Sequence, residues 1–262
     1  MAFHDRSCQT VAVNDFAVEY DHQAARELHS VEGAREALRV LFREEFPKSV
    51  LDVGCGIGTW LRAALDLGAQ DVVGIEGVDL PADELMVPKE LIRRADLNQP
   101  VELGRTFDLV LCLETAEHLE PESAATIVDT LTRHGSRILF SAAVPGQPGM
   151  HHVNCQWPAY WQALFNERGF ACSDAVRWIL WNNKGVEAWY RQNLMLATRD
   201  KALAGKEPPI DAVIHPEMLL EAWDHLPEAS AIIARGALPL GWYLTAPAKA
   251  LLAKLGRSLR RR

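Results

Sequence analysis

"VLDVGCGIGTW", residues 50–60, is the stretch on which the fold turns. An apolar run carrying one carboxylate, Asp52, leads into Gly54, Gly56 and Gly58, and helical periodicity resumes at Trp60. This pattern reads as a strand, a tight turn and a helix, an element that presents backbone amides and a helix N-terminus to a nucleotide. The dinucleotide fingerprint requires a third glycine where this chain has Thr59. The turn therefore favours a nucleotide of another kind, and a nicotinamide-dependent dehydrogenase is the competing enzyme class.

Outward from the turn, strands and helices alternate. "DVVGIEGVD" (71–79), "FDLVLCLE" (107–114) and "RILFSAAVP" (137–145) read as strands, the second apolar enough to be covered on both faces. Helices are expected across 18–45, 60–67, 121–134 and 158–168, and a closing strand pair at 175–182 and 190–198 around "NNKG". Alternation of this kind implies a doubly wound, mostly parallel α/β sheet. Residues 200–262 differ: "HPEMLLEAWDHL" and "SAIIARGAL" read as short helices, and the tail "KALLAKLGRSLRRR" holds six basic residues and no acidic one.

At 262 residues and 48% hydrophobic, the chain suits one large domain or somewhat more. No apolar run is long enough for a membrane span, and the first residues lack a signal peptide's apolar core. Five cysteines stand scattered, without C-x-x-C pairing, as expected of reduced thiols in a cytoplasmic protein. A net charge of −8 argues against broad contact with nucleic-acid backbone. The basic tail alone offers a peripheral contact with a membrane surface or an anionic partner.

The motifs resemble those of the class I S-adenosylmethionine-dependent methyltransferases. Residues 50–60 look like the family's D-x-G-x-G-x-G motif, and the likeness extends over about residues 45–200. It implies a seven-stranded Rossmann-like fold, with residues 1–45 as a helical cap, 46–199 as the cofactor domain and 200–262 as a helical extension. It implies that Asp52 reaches the methionine amino group, that Gly54, Gly56 and Gly58 admit the methionine part, and that Glu76 binds the ribose. Asp96 in "ADLNQP" (95–100) would accept from the adenine amine, with Leu97 beside the ring and Leu113 completing the cofactor's surroundings.

For the acceptor side, "CLETAEHLEP" (112–121) supplies Glu114, Glu117 and His118, and "GMHHVNCQWPAYW" (149–161) supplies His151 and His152. On an α-helix, Glu114, Glu117 and His118 would share one face. Three readings stand open. The residues cap and pack the loop, or a histidine (His118, His151 or His152) is a general base, or Glu114, Glu117, His118 and His152 hold a divalent cation. Mg²⁺, Mn²⁺, Fe²⁺ and Zn²⁺ all suit such a set. The E-x-x-E-H arrangement with a distant histidine resembles that of metal-dependent small-RNA 2′-O-methyltransferases. The aromatic loop and "WYRQN" (189–193) resemble small-molecule enzymes of glycan and natural-product pathways. The expected function is O-methylation of a sugar or other small hydroxylated acceptor. RNA 2′-O-methylation and a catalytically silent cofactor-binding subunit are the alternatives, and self-association through the C-terminal region is a further expectation.

Overall fold

The computed structural model describes residues 30–43 and 45–219. Seven strands form one sheet: β1 (Ser49–Val53), β2 (Asp71–Glu76), β3 (Ile92–Arg94), β4 (Leu109–Leu113), β5 (Arg137–Ser141), β6 (Phe170–Ser173) and β7 (Met195–Arg199). Their order across the sheet is β3-β2-β1-β4-β5-β7-β6. The first five run parallel, and β7 is antiparallel to both β5 and β6. The helices are α1 (Val31–Leu41), α2 (Thr59–Asp66), α3 (Ala124–His134), α4 (Pro158–Glu167), α5 (Ala175–Leu180) and α6 (Ala188–Asn193). This is the mostly parallel seven-stranded fold that the sequence implies.

Alternate residues of a strand face opposite ways, so β1 feeds two cores. Leu51 and Val53 join Ile127, Trp161 and Phe165 on one side, and Val50 joins Leu38, Leu61 and Leu180 on the other. β4 is buried at every position, which accounts for its unbroken apolar run. The sheet's order reverses between β1 and β4, and ligands of such sheets bind in the crevice outside the carboxyl ends of the strands at that point.

Two expectations need correction. Residues 175–182 do not form a strand: Ala175–Leu180 is helix α5. Val176, Arg177 and Leu180 are buried while Trp178 and Ile179 are exposed, which is helical rather than alternating burial. Within 190–198 only the stretch from Met195 is strand, because α6 occupies Ala188–Asn193. The short strand Phe170–Ser173 takes the edge instead.

Helix α1 starts at Ser30, whose side chain accepts from the Gly33 amide, and its first turn docks on the loop before α6. The Ser30 amide donates to Glu187 Oε1 at 2.7 Å and Asn183 Nδ2 donates to Glu36 Oε1 at 3.1 Å. After the sheet, residues 201–206 form turns and helix resumes at 216–219. The remaining expected helices of the C-terminal extension, the basic tail and residues 1–29 lie outside the described residues.

Gly74 of β2 lets the glycine turn approach the sheet. A Cβ at this position would lie 2.6 Å from Cys55 Sγ and 2.9 Å from Leu61 Cδ1. Gly74→Ala is therefore expected to overpack this contact and destabilise the fold by about 1–3 kcal/mol. Urea unfolding checks this: the midpoint should fall with an unchanged slope, and a wild-type midpoint would refute the packing argument.

Candidate functional site

The glycine turn is held by a shared acceptor. The amides of Gly54 and Cys55 both donate to the Ile75 carbonyl, at 2.8 and 3.1 Å. Gly54, Gly56 and Gly58 have φ of 79°, 50° and 85°, a left-handed path that favours glycine at each point. A side chain at Gly54 would collide with Thr115, its Cβ 2.2 Å from Thr115 Cγ2, rather than merely fill the crevice. Thr115 Oγ1 lies within donating distance of the carbonyls of Gly54 (3.3 Å) and Leu113 (3.2 Å). The turn after β1 and the loop after β4 thus share one wall.

Two carboxylates flank the turn. Asp52 is 2% exposed, and its Oδ2 has no hydrogen-bond partner. Burial, reinforced by the nearby charge of Glu76, raises its pKa from 3.8 to about 7. Glu76 accepts from the Gly56 amide at 2.8 Å through Oε2, and from the Gly77 (2.7 Å) and Val78 (3.1 Å) amides through Oε1. Burial raises its pKa too, with those amides pulling the other way. Farther along the crevice, Asp96 is exposed and spends one oxygen on the Asn98 amide at 2.9 Å. Leu97 and Leu113 are buried, one in each core.

On the acceptor side, "CLETAEHLEP" forms no α-helix. Glu114 follows β4 with a left-handed φ of 50°, and Ala116–His118 is a single 3₁₀ turn. One helical face therefore does not collect the three residues. Glu117, His118 and His152 do come together, with one potential ligand atom from each lying within 4.8 Å of the others. Glu117 is fully buried, and neither of its oxygens has a partner of good hydrogen-bond geometry. Burial and then the adjacent Glu114 charge raise its pKa well above the ordinary value.

The two imidazoles are oriented by main-chain carbonyls. His118 Nδ1 is 3.3 Å from the His151 carbonyl, and His152 Nδ1 is 3.2 Å from the Gln147 carbonyl. A carbonyl only accepts, so this network assigns the proton to Nδ1 and leaves Nε2 as the lone pair of each ring. The rings meet edge to face with centroids 5.0 Å apart. Burial lowers both pKa values, and His152 lowers that of His118 further, although part of the His118 ring meets solvent. The His151 ring is exposed and contributes only its carbonyl.

Glu114 is not part of this trio of ligand atoms. Its oxygens accept from Gln147 Nε2 at 2.8 Å and Asn193 Nδ2 at 3.1 Å, and burial raises its pKa against these bonds. Gln147, Asn193 and Thr115 join this arrangement although the sequence reading gave none of them an individual role, Asn193 and Thr115 lying within stretches it quoted. Gln147 lies in "PGQPGM", which reads as a plain Pro/Gly loop, and only its distant contacts reveal it.

Comparison with known proteins agrees with this fold. Residues 20–183 match the family model of the methyltransferase domain. The ubiquinone biosynthesis O-methyltransferase of Acinetobacter baylyi is 31% identical over 134 residues, covering 46% of this chain and 54% of that protein. The protein of the same name from Chromobacterium violaceum is 32% identical over 107 residues, covering 36% and 44%. The chain thus spans about half the length of the curated relatives it matches. The sugar N-methyltransferase KedS8 of a Streptoalloteichus species shares the fold. Its TM-score is 0.50 at 17% identity, over 76% of this chain and 99% of that one.

Asp52 makes a testable contribution to the pH dependence of stability. Its folded pKa of about 7 exceeds the unfolded 3.8, so between these values the folded state holds a proton that the unfolded chain has released. Stability from this group is full below the lower value and is lost as pH rises towards 7, by at most about 4 kcal/mol. In the cofactor-free protein, Asp52→Asn should flatten the fall of stability over that window. Denaturant titrations at several pH values check it, and parallel wild-type and variant profiles would show that the group is not buried as described.

The match spans more than half of the chain, its glycine turn has the motif's geometry and its sheet has the expected strands, so this protein belongs to the methyltransferase-domain family of the class I S-adenosylmethionine-dependent superfamily.

Proposed function

We propose that this chain is an S-adenosylmethionine-dependent methyltransferase acting on a hydroxyl oxygen of a small acceptor, a sugar or other hydroxylated metabolite, beside a divalent cation. The observation that carries this reading is the Glu117–His118–His152 cluster, one wall away from the glycine turn.

The residues of the turn fit the cofactor. The unpartnered, buried Asp52 oxygen suits the methionine ammonium. Glu76 keeps lone pairs for the ribose hydroxyls beyond those that the amides use, and Asp96 keeps one oxygen for the adenine amine beside Leu97. S-adenosylmethionine bound there would supply a methyl group already activated on a sulfonium, so the protein's task is alignment and exclusion of water.

The acceptor cluster fits a cation better than it fits a base. A general base works best with a pKa near the working pH, and both rings are pushed below the ordinary histidine value. Neutral rings with Nδ1 pinned and Nε2 open, beside a buried Glu117 whose oxygens have no partner of good hydrogen-bond geometry, offer a divalent ion its ligands. A cation held there would lower the pKa of the acceptor hydroxyl. Two imidazoles tilt the choice toward Mn²⁺, Fe²⁺ or Zn²⁺ over Mg²⁺.

Trp157 and Tyr160 are partly exposed where the loop enters α4, and Met150 and Val153 are exposed in the same loop. This rim suits the apolar face of a sugar or another ring. Oxygen is favoured over nitrogen because the curated relatives are named O-methyltransferases. A cytoplasmic setting accompanies this reading; no helix among the described residues is long and apolar enough to cross a membrane.

The test is an acceptor screen with labelled cofactor over sugars, glycosylated metabolites and phenols, with calorimetry for cofactor affinity. Asp52→Ala is expected to weaken cofactor binding about 10- to 100-fold, as loss of a charge-assisted bond would. Glu117→Gln and His118→Ala should lower kcat about 100-fold or more with cofactor affinity unchanged. EDTA should abolish turnover and one added cation restore it. Turnover indifferent to EDTA would sink the cation, and cofactor binding without product from any acceptor would sink the enzyme reading.

A further inference from the structure

We propose that Gln147 is the positioning residue of the acceptor site, its side-chain amide setting the Glu114 carboxylate while its main-chain carbonyl sets the His152 ring. The proposal rests on the acceptor-site reading above and adds to it the residue that joins the carboxylates to the imidazoles.

The side-chain half is determined by donors from three places. Gln147 Oε1 lies 2.9 Å from Asn193 Nδ2, 3.2 Å from Gln192 Nε2 and 3.4 Å from the Val144 amide. All three donate, so the oxygen of the amide belongs there and the Nε2 group must face the other way. It faces Glu114 Oε2 at 2.8 Å. Asn193 Nδ2 reaches the same carboxylate, at 3.1 Å from Oε1. Glu114 is also constrained at its backbone: its amide donates to the Ser141 carbonyl and to Ser141 Oγ, at 3.0 and 3.1 Å. A non-glycine residue in the left-handed region persists where its surroundings over-determine it. Without its amide partners, the Glu114 carboxylate would press more closely on Glu117, whose side chain it already meets.

The main-chain half acts on the imidazole. The Gln147 amide donates to the Val144 carbonyl at 3.0 Å and closes a turn with Gly146 at φ 89°. That closure aims the Gln147 carbonyl at His152 Nδ1. The ring then lies against Gly149, where an added Cβ would be 2.1 Å from His152 Nε2, so the loop has room for this ring and no further side chain. One residue therefore orients a carboxylate through its side chain and a ring through its backbone. Gln147 touches neither reacting group in this arrangement; it acts through Glu114 and His152.

The test uses the full chain with Gln147→Glu and Gln147→Ala. Gln147→Glu preserves volume but replaces the donor facing Glu114 with an acceptor, and Gln147→Ala removes both. Four readouts are taken: Mn²⁺ binding by electron paramagnetic resonance without cofactor or acceptor, kcat and KM for the acceptor, cofactor affinity by calorimetry, and the His152 tautomer by ¹⁵N-resolved NMR. Both variants should lose Mn²⁺ affinity and kcat by about 10- to 100-fold, because a Glu114 carboxylate without its Gln147 donor presses on Glu117, the ligand beside it. Acceptor KM and cofactor affinity should stay within about threefold of wild type, a shift of under about 1 kcal/mol. In both variants His152 should keep its Nδ1–H form, because the main-chain carbonyl that sets it is retained; a switch to the Nε2–H form would overturn the division between side chain and backbone. A cofactor affinity that falls as far as kcat would overturn the proposal, because the loop would then merely support the fold. Wild type that binds no Mn²⁺ would refute the cation reading alone; kcat then decides, and a kcat unchanged in both variants would overturn the positioning role.

Discussion

The carbonyl oxygen of Ile75 accepts hydrogen bonds from two amides, those of Gly54 and Cys55, and the arrangement of the crevice follows from that shared acceptor. It folds the end of β1 back against the end of β2, which brings Asp52 and Glu76 to the same turn. It also fixes Gly54 where its α-carbon abuts Thr115, so the loop after β4 can close no further. Residue 54 thus sets the distance between the cofactor side and the acceptor side. Substitution there would disturb both at once, and it is a poor probe of cofactor contact alone. Asp52, whose side chain has an oxygen with no internal partner, isolates that contact better.

Electrostatics gives the crevice its direction. Asp52, Glu76, Glu114 and Glu117 all lie at the carboxyl ends of strands, and burial raises the pKa of each. Among the described residues none of the four pairs with a lysine or arginine. The ion pairs that do form, such as Arg62–Asp66 and Arg105–Asp71, lie elsewhere on partly exposed side chains. Buried carboxylates without counter-charges are costly. A fold that keeps two buried acids, Asp52 and Glu117, and two half-buried ones, Glu76 and Glu114, beside this crevice suits positive charge from outside. Burial and the neighbouring Glu76 charge are also why Asp52 takes up a proton near neutrality.

How much of this was legible depended on the range of the interactions involved. The glycine turn, the buried β4 and the acid at the end of β2 announce themselves through adjacent residues, and the sheet follows from their alternation. Helix α5 was not legible as a helix. "AVRWIL" is six residues long, apolar almost throughout, and only its pattern of burial separates a short helix from a strand. The E-x-x-E-H spacing misled differently, because a face is shared only if the residues share a helix. Here the strand carries on to Leu113, Glu114 turns left-handed, and the 3₁₀ turn starts at Ala116. Glu117 and His118 meet His152 through the loops' tertiary path. The amides of Val153 and Asn154 donate to the Glu117 carbonyl at 2.9 and 3.0 Å, a stitch between segments some 36 residues apart that no local pattern encodes. Gln147 is the extreme case, since its partners are Glu114, Gln192 and Asn193, far off on both sides.

The same reasoning bears on the chain beyond the sheet. Asn193, which holds Glu114, ends helix α6, and α6 is braced from the C-terminal side. The His215 amide donates to Gln192 Oε1 at 2.8 Å, and His215 Nε2 lies 2.8 Å from the Trp181 carbonyl with the two rings 4.5 Å apart. Buried Arg191 reaches both that carbonyl, at 3.2 Å, and the Glu217 carboxylate, at 2.5 Å. The His215–Gln192 bond is buried and the others part-buried, so breaking the first strands a polar group away from water, at a cost of about 1–3 kcal/mol. The residues around His215 therefore belong mechanically to the wall that orients Glu114, even though they follow the last strand. A cut placed at the end of β7 would divide a hydrogen-bonded unit, whereas the path from Glu114 through Gln147 and Gln192 to His215 is continuous in space.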